Sequence, residues 1–210
     1  MKAVGADIKI YLGVVILGAG KSRRMGQPKL LMPWGGTTVI GRLVEQWNAM
    51  ARQLVVVCAP DDLALKDELE RLCLRGRVIN PEPERGMFSS IQCAAQWPWW
   101  DESLSHWAIV LGDQPHLRDD TLRTLLAFAT THPDAICQPQ FNDHLRHPVL
   151  IPKAAFERLS KCTAATLKEF LATHRIAACE IADAGLAIDI DRPEDYKSAL
   201  ALAGITNQDR

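Results

Sequence analysis

Hydrophobic residues along the chain follow two spacings. Short continuous apolar runs at 14–17, 54–59 and 107–111 are typical of strands that are buried on both faces. Between such runs, apolar residues recur every three or four positions, as in 37–50 and 118–130, which predicts amphipathic helices. This alternation of strand and helix predicts a doubly wound, Rossmann-like α/β fold with a mostly parallel sheet.

The rest of the chain continues the alternation. Further helices are predicted at 61–74, 88–96, 153–159 and 163–174, with a last one beginning at Pro193, and further strands at 77–80, 135–139, 146–151, 175–181 and 186–190. Neither a linker nor a low-complexity tract or internal repeat interrupts these elements. We therefore expect one domain over residues 1–210, with its core at about 11–203.

Composition narrows the class of partner. The 210 residues are 48% hydrophobic and 23% charged, with a net charge of -1 and no polybasic block, which argues against nucleic acid or a membrane surface as the main partner. Residues 1–10 lack the apolar core of a signal peptide, and no stretch approaches the ~20 apolar residues of a membrane span. We expect a cytoplasmic protein whose six widely spaced cysteines are reduced thiols.

The stretch after the first strand has the composition of a phosphate-binding loop. Gly18, Gly20 and Gly26 allow tight bends that turn backbone N–H groups toward an anion, and Arg24 and Lys29 supply positive charge. The alternative is a plain turn with solvated charges.

Two common phosphate loops do not fit this stretch. A Walker A loop needs a glycine five residues before the G-K-S triplet at 20–22, where Val15 stands. A dinucleotide-binding fingerprint needs a glycine three residues after Gly20, where Arg23 stands, and its helix would run into Pro28. If the loop binds phosphate, it therefore does so in another way than these two motifs.

One aspartate leaves the fourth predicted strand. Asp113 follows Gly112 at the carboxyl end of 107–111, where open parallel sheets bind ligands. Its carboxylate suits Mg²⁺, which takes oxygen ligands and couples to phosphates. A helix N-cap is the alternative role for Asp113.

Two more aspartates precede the last helix. If residues 186–191 are extended, Asp189 and Asp191 project from one face while Ile188 and Ile190 enter the core. Asp191 is then a candidate second metal ligand, with helix capping before Pro193 as the alternative.

The glycine-rich loop resembles the signature L-x-x-G-x-[ST]-x-R-M-G-x-x-K of the nucleotidyltransferase family that includes the molybdenum cofactor cytidylyl- and guanylyltransferases. Two further segments match motifs of that family, L-G-D-Q-P at 111–115 and D-I-D-R-P-E-D at 189–195. The resemblance extends from 14 to about 196. The loop signature is carried by Leu17, Gly20, Ser22, Arg24, Met25, Gly26 and Lys29.

The resemblance implies a nucleotide-diphospho-sugar transferase type of fold and assigns roles within it. It implies catalytic roles for Arg24, Lys29 and Asp113, and a Mg²⁺ ion on Asp113 and Asp191, with Asp189 as a further candidate. Residues on the acceptor side would be Gln114, Pro115 and His147, the last within H-P-V at 147–149. The nucleotide would be bound by Leu17, Gly18, Ala19, Gly20, Ser22, Arg24, Lys29, Ser90, Gly112 and Asp113.

The same resemblance implies a reaction. Guanylyl members of the family usually have L-A-G-G in the loop and cytidylyl members L-A-A-G, so L-G-A-G, with Ala19 in third place, favours CTP. We expect transfer of CMP to a phosphate-bearing small acceptor, first of all molybdopterin or the molybdenum cofactor, with release of pyrophosphate. Alternatives are cytidylyl, uridylyl or guanylyl transfer to a sugar phosphate or methylerythritol phosphate, or a non-catalytic nucleotide- or cofactor-binding protein. A molybdoenzyme or a chaperone is a candidate partner.

Aromatic residues concentrate in W-P-W-W at 97–100, with Trp107 nearby. Because tryptophan contributes a large apolar area wherever it sits, we expect these rings to pack a domain edge or a subunit contact rather than to stack on a base.

Overall fold

A computed structural model describes residues 9–22 and 24–206. The expectation that residues 1–10 form no signal peptide therefore falls mostly on residues outside the described part. The strands in this part are β1 (Leu12–Leu17), β2 (Pro33–Trp34), β3 (Thr37–Thr38), β4 (Gln53–Cys58), β5 (Arg77–Ile79), β6 (His106–Leu111), β7 (Ile136–Phe141), β8 (His144–Leu145), β9 (Val149–Pro152) and β10 (Ile176–Glu180). The helices are α1 (Val39–Asn48), α2 (Leu63–Arg71), α3 (Met87–Ala95), α4 (Asp119–Thr130), α5 (Lys153–Leu159), α6 (Leu167–Ala172) and α7 (Pro193–Leu202).

The main sheet has the strand order β10-β7-β9-β6-β1-β4-β5, with β8 paired to β7. β1 runs parallel to both β4 and β6, and β10 runs parallel to β7. β9 is antiparallel to β6 and β7. The predicted mostly parallel, doubly wound sheet is confirmed.

The strand order reverses beside β1. From β1 the chain builds outward through β4 and β5, then returns through α3 to place β6 on the other side of β1. Leu17 and Leu111 pair at the carboxyl ends of β1 and β6. The two loops that follow therefore leave the sheet side by side, at the position where such folds bind ligands.

Helices cover both faces of the sheet. Val14 and Ile16 point into a core that includes residues of α1, α2, α4 and α7, whereas Val15 belongs to a second core with residues of α3, α5 and α6. All three are fully buried. Burial on both faces explains the continuous apolar run in β1.

Two glycines allow the site loops to lie close to the sheet. A Cβ atom at Gly112 would lie 2.6 Å from the carbonyl oxygen of Leu17, and one at Gly18 would lie 2.9 Å from that of Val57. Both positions therefore exclude any side chain, and the loops after β1 and β6 depend on them for their packing.

Trp107 lies in the second core, and Trp97 and Trp100 pack against that core. The ring of Trp107 stacks on that of Phe156 with 4.3 Å between centroids, and Trp100 contacts both rings edge-on. Trp97 packs on Trp100 in turn, while Trp99 is 73% exposed. The expected packing role is therefore observed for three of the four rings.

The predicted strand at 186–190 is wrong. The segment Ala184–Ala187 is a turn of 3-10 helix, which begins where the side chain of Asp183 accepts a hydrogen bond from the backbone N–H of Gly185. After this turn the backbone N–H of Ile190 donates to the carbonyl oxygen of Asp113 at 3.2 Å. The segment is therefore a loop that lies against the loop after β6, not a strand of the sheet.

Two smaller differences concern short elements. The predicted helix at 163–174 is reduced to α6, because the Thr166 hydroxyl accepts a hydrogen bond from the Glu169 N–H and caps the helix there. The hairpin of β2 and β3, which turns at Gly35 with φ of +58°, consists of two-residue strands too short to leave a hydrophobic pattern. No helix among residues 9–22 and 24–206 combines the length and apolarity needed to cross a membrane.

Candidate active site

The glycine-rich loop is closed by Ser22. The Ser22 backbone has φ of +42°, its carbonyl accepts a hydrogen bond from the N–H of Met25 at 3.0 Å, and its Oγ accepts one from the N–H of Lys29 at 3.2 Å. Gly26 supplies a second left-handed turn with φ of +70°. These contacts fix the point from which the Lys29 side chain starts.

Lys29 joins three segments at one point. Its Nζ lies 2.6 Å from Oδ2 of Asp113 and 3.6 Å from Oδ1 of Asp191, and it donates to the carbonyl oxygen of Ile190 at 3.3 Å. The side chains of Lys29 and Asp113 are only 17% and 16% exposed. One cation therefore holds the glycine-rich loop, the loop after β6 and the segment before α7 together.

Asp113 keeps one oxygen free for a ligand. Its Oδ1 atom is buried and has no hydrogen-bond partner among the residues that the structure describes. A buried oxygen in this state is destabilising unless a ligand supplies the missing partner. The position is thus suited to an incoming cation or donor group.

Asp191 also faces the glycine-rich loop. Nη1 of Arg24 lies 2.5 Å from Oδ2 of Asp191, in a pair whose side chains are 72% and 43% exposed. Capping of α7 falls instead to Asp195, whose Oδ2 accepts from the backbone N–H groups of Asp191 and Arg192. Asp191 therefore does not cap α7 through its side chain in this structure.

Asp189 points elsewhere. Its Oδ1 accepts a hydrogen bond from Nε2 of buried Gln114 at 2.9 Å. Burial, followed by the negative charge of Asp113, raises the pKa of the Asp189 carboxyl above its ordinary value. Because 186–191 is not extended, the two aspartates do not present a common face; Asp191 is the one beside Lys29.

The carboxylates of Asp113 and Asp191 suit a hard divalent cation whose other ligands are phosphate oxygens. The described residues hold no group of three or more His, Cys, Asp or Glu side chains placed for a metal ion. Asp113 and Asp191 instead offer two carboxylates, one with an unpaired buried oxygen. Mg²⁺ is commonly bound by one or two carboxylates together with substrate phosphates, so this donor set fits the ion.

A cleft of about 260 Å³ opens beside these side chains. It includes eight of the residues predicted to bind the nucleotide, from both loops and from α3. Arg24 and Ser22 line an adjoining groove of about 310 Å³, which shares Gly20 and Lys29 with the cleft. The cleft is lined by Leu17, Gly18, Ala19, Gly20, Lys29, Leu30, Pro83, Gly86, Met87, Ser90, Leu111, Gly112 and Asp113.

The residues predicted for the acceptor side do not line this cleft. Pro115 lines a separate groove beside His116 on the other side of the loop. His147 is half-buried, with Nδ1 3.4 Å from the carbonyl oxygen of Ile109, and burial lowers its pKa. The carbonyl contact and the charge of Asp113 oppose that shift only in part. Gln114 acts within the structure as the partner of Asp189.

Asn80 contacts a residue of the cleft in a way that the sequence did not reveal. It follows β5, is 1% exposed, and its Nδ2 donates to the hydroxyl oxygens of Ser89 and Ser90 at 2.8 and 3.0 Å. A single asparagine before a proline predicts only a turn. Its contact with a serine of the cleft depends on how α3 packs against the end of β5.

The crevice at the reversal of strand order, with its glycine-rich loop and carboxylate pair, is that of an α/β nucleotidyltransferase. Residues 14–178 match the MobA-like NTP transferase domain, and the chain belongs to this family.

Curated relatives of the chain differ in their described roles. The molybdenum cofactor cytidylyltransferase of Escherichia coli K12 is 23% identical over 186 residues, 88% of this chain and 93% of its own length. The purine catabolism protein PucB of Bacillus subtilis is 26% identical over 204 residues, 89% of this chain and 94% of its own. A protein of Carboxydothermus hydrogenoformans named "Probable molybdenum cofactor guanylyltransferase" is 35% identical over 83 residues, 40% of this chain and 41% of its own.

Solved structures share the fold. The homolog of Mycobacterium tuberculosis rv0371c from Mycobacterium sp. strain JC1 is 26% identical, with a TM-score of 0.72 over 92% of this chain and 96% of its own. The M. tuberculosis H37Rv Rv0371C structure described as a complex with manganese is 22% identical, with a TM-score of 0.67 over 91% and 98% of the two chains.

Proposed function

We propose that this protein is a Mg²⁺-dependent nucleotidyltransferase that transfers CMP from CTP to a phosphate group on a small acceptor and releases pyrophosphate. The observation that carries the proposal is the position of Lys29, between Asp113 and Asp191 at the edge of the cleft. A cation and two carboxylates at the end of a glycine-rich loop match the charges of a metal-bound triphosphate.

The triphosphate would lie along the loop after β1. Lys29 and Arg24, which now pair with carboxylates, would turn their charges to phosphate oxygens. The N–H groups of Ala19 and Gly20 would contribute further donors, whereas that of Gly18 already donates to the carbonyl oxygen of Val57 at 2.9 Å. Gly20 supports this arrangement, because the space beside its Cα is open and lets an anion approach the backbone.

Asp113 and Asp191 would hold the metal ion. When bound, Mg²⁺ would supply positive charge that neutralises phosphate oxygens. Oδ1 of Asp113 is free for this role, and Asp191 can release Arg24 cheaply since exposed ion pairs stabilise little.

The chemistry needs no nucleophile from the protein. An oxygen of the acceptor phosphate attacks the α-phosphorus of CTP in line, the bond from that phosphorus to the bridging oxygen breaks, and pyrophosphate leaves with the electron pair. Lys29 stabilises negative charge that develops on the departing phosphates, in a part of the cleft that is largely shielded from water.

Base and acceptor are the finer parts of the proposal. CTP is favoured by Ala19, and the cytidylyltransferase relative aligns with 88% of the chain against 40% for the guanylyl relative. The molybdenum cofactor is the first acceptor to test, since both of these relatives are named for it, with Gln114, Pro115 and His147 assigned to the acceptor side. We assign the reaction to the cytoplasm, with a molybdoenzyme or its chaperone as a partner to receive the product.

Pyrophosphate release is the decisive test. The purified protein is mixed with CTP, GTP, UTP or ATP, with Mg²⁺ or EDTA, and with molybdopterin, molybdenum cofactor, methylerythritol phosphate or sugar phosphates. We expect Mg²⁺-dependent release with CTP and a molybdopterin-type acceptor. Release with another acceptor would correct the substrate, and tight CTP binding without release for any acceptor would favour a non-catalytic nucleotide-binding protein.

A further inference from the structure

Asn80 has every hydrogen-bonding group of its side chain engaged. Oδ1 accepts from the backbone N–H of Glu82 at 3.0 Å and lies 3.7 Å from Sγ of Cys93, while Nδ2 donates to Oγ of Ser89 and of Ser90. Because a backbone N–H can only donate, the contact with Glu82 identifies Oδ1 and leaves the amide NH₂ group toward the serines. The direction of both serine contacts is thereby fixed.

Ser89 has no hydrogen left to offer. Its Oγ accepts from Asn80 and donates to the carbonyl oxygen of Gly86 at 2.8 Å, which ties the start of α3 to the preceding turn. Ser89 is therefore a structural residue.

Ser90 is in a different state. Its Oγ accepts from Asn80 at 3.0 Å, and none of the described residues accepts a hydrogen bond from its hydroxyl. Ser90 also lines the cleft, together with Ala19. The hydroxyl hydrogen of Ser90 is therefore free to be donated to a ligand in the cleft.

The surroundings of Ser90 indicate which part of a nucleotide meets it. The charged groups of the cleft, Lys29 and Asp113, come from the other two loops, whereas Pro83 and Met87 on the α3 side are uncharged. A wall without positive charge suits a neutral base better than phosphate. Cytosine presents two acceptors, O2 and N3, at neighbouring positions of its pairing edge. The same edge of guanine presents one acceptor, O6, beside N–H donors at N1 and N2.

We propose that Asn80 is a positioning residue for base recognition: it holds Ser90 as a hydrogen-bond donor, so that the cleft selects a base with an acceptor atom at that point. The inference rests on the proposed function, since it requires a nucleotide in this cleft. It assigns cytosine selectivity to two residues, Asn80 and Ser90, in addition to Ala19.

Asn80→Asp reverses the direction of the contact with little change of shape. The new carboxylate still accepts from the Glu82 N–H, but it now also accepts from Ser90, whose hydrogen is turned away from the cleft. We expect the ratio of CTP affinity to tripolyphosphate affinity to fall about ten-fold in calorimetry, as for one lost hydrogen bond, because tripolyphosphate has no base but meets the same added negative charge. The ratio of GTP to CTP use should rise.

Two variants make the test specific. In a Ser90→Ala background, Asn80→Asp should cause no further change in the ratio of CTP to tripolyphosphate affinity, because Asn80 acts through Ser90. Ser89→Ala is the matched control, which should lower the melting temperature and leave that ratio unchanged. Equal weakening of CTP and tripolyphosphate by Asn80→Asp, or unchanged CTP affinity, would overturn the inference.

A test on the unaltered protein covers the case in which Asn80→Asp does not fold. 3-Deazacytidine triphosphate lacks the acceptor at position 3, and 2-thiocytidine triphosphate has a weaker one at position 2. The protein should bind one of these analogues about ten-fold more weakly than CTP. Ser90→Ala should bind that analogue and CTP with equal affinity. Equal affinities for all three would overturn the inference alone; failure to bind both CTP and tripolyphosphate would overturn the proposed function as well.

Discussion

Lys29 and Asp113 are 84 residues apart in the chain, yet the ammonium of one lies 2.6 Å from a carboxylate oxygen of the other. The contact spans the two loops that leave β1 and β6, and both side chains are largely buried. Without ligand, the groups proposed for phosphate and for metal thus neutralise each other. Binding of a metal-bound nucleotide would exchange this pair for two others, lysine with phosphate and carboxylate with metal, so that neither buried charge is left alone.

Lys29→Ala should weaken binding of CTP far more than binding of CMP, because the proposed contact lies on the phosphates that leave as pyrophosphate. Calorimetric titration of both nucleotides measures the difference, and Lys197→Ala, which removes an exposed lysine of α7, is the control. Lys29→Ala should also lower the melting temperature, since Asp113 loses its partner. Equal losses for CTP and CMP would contradict this placement of Lys29.

Asp113→Asn should retain the fold and lose Mg²⁺-dependent turnover, by at least about 100-fold, because a carboxylate charge disappears where phosphate charge must be neutralised. Asp191→Ala should also impair turnover. Pyrophosphate release and thermal unfolding are measured together, with exposed Asp120→Asn in α4 as the control. Near-normal turnover would remove Asp113 from the metal site; for Asp191, a loss of stability without loss of turnover would limit its role to the ion pair with Arg24.

The meeting of Lys29 with Asp113 could be predicted because each follows a strongly apolar strand, and the carboxyl ends of β1 and β6 must lie together in this topology. The separate directions of Asp189 and Asp191 could not. They depend on a 3-10 turn held by Asp183 and on a backbone contact to Asp113, neither of which has a periodic pattern. The contacts of Asn80 could not be predicted for the same reason, since its partners are set by tertiary packing rather than by sequence spacing.

Acidification should destabilise the protein between about pH 7 and pH 5. His106 is 3% exposed, with Nε2 3.1 Å from the carbonyl oxygen of Pro133, and burial lowers its pKa below the ordinary 6.5. Buried His116 and half-buried His147 have pKa values lowered in the same direction. The unfolded chain therefore binds protons first as pH falls through 6.5, which favours unfolding.

Thermal unfolding at a series of pH values measures this decline. His106→Gln should flatten it, whereas His144→Gln, at an exposed position of β8, should not. Burial raises the pKa of Asp183, but hydrogen bonds from Thr121, Gly185 and Arg118 outweigh it and hold this pKa below the ordinary 3.8. The loss of its stabilising charge therefore falls outside this window. A melting temperature that does not change from pH 7 to pH 5 would contradict the buried neutral state of the histidines.

Ala19→Gly should shift use of nucleotide from CTP toward GTP. Ala19 lies in the cleft wall and is 8% exposed, so its methyl group takes up volume where a bound base would lie, and a one-ring pyrimidine needs less room than a purine. One methyl group supplies only ~1–3 kcal/mol of discrimination, about 10- to 200-fold, so relative kcat/KM should move without a complete exchange. Ala165→Gly, at an exposed loop position, controls for added backbone freedom. An unchanged ratio of CTP to GTP use would show that Ala19 does not read the base and would leave selectivity to Asn80 and Ser90.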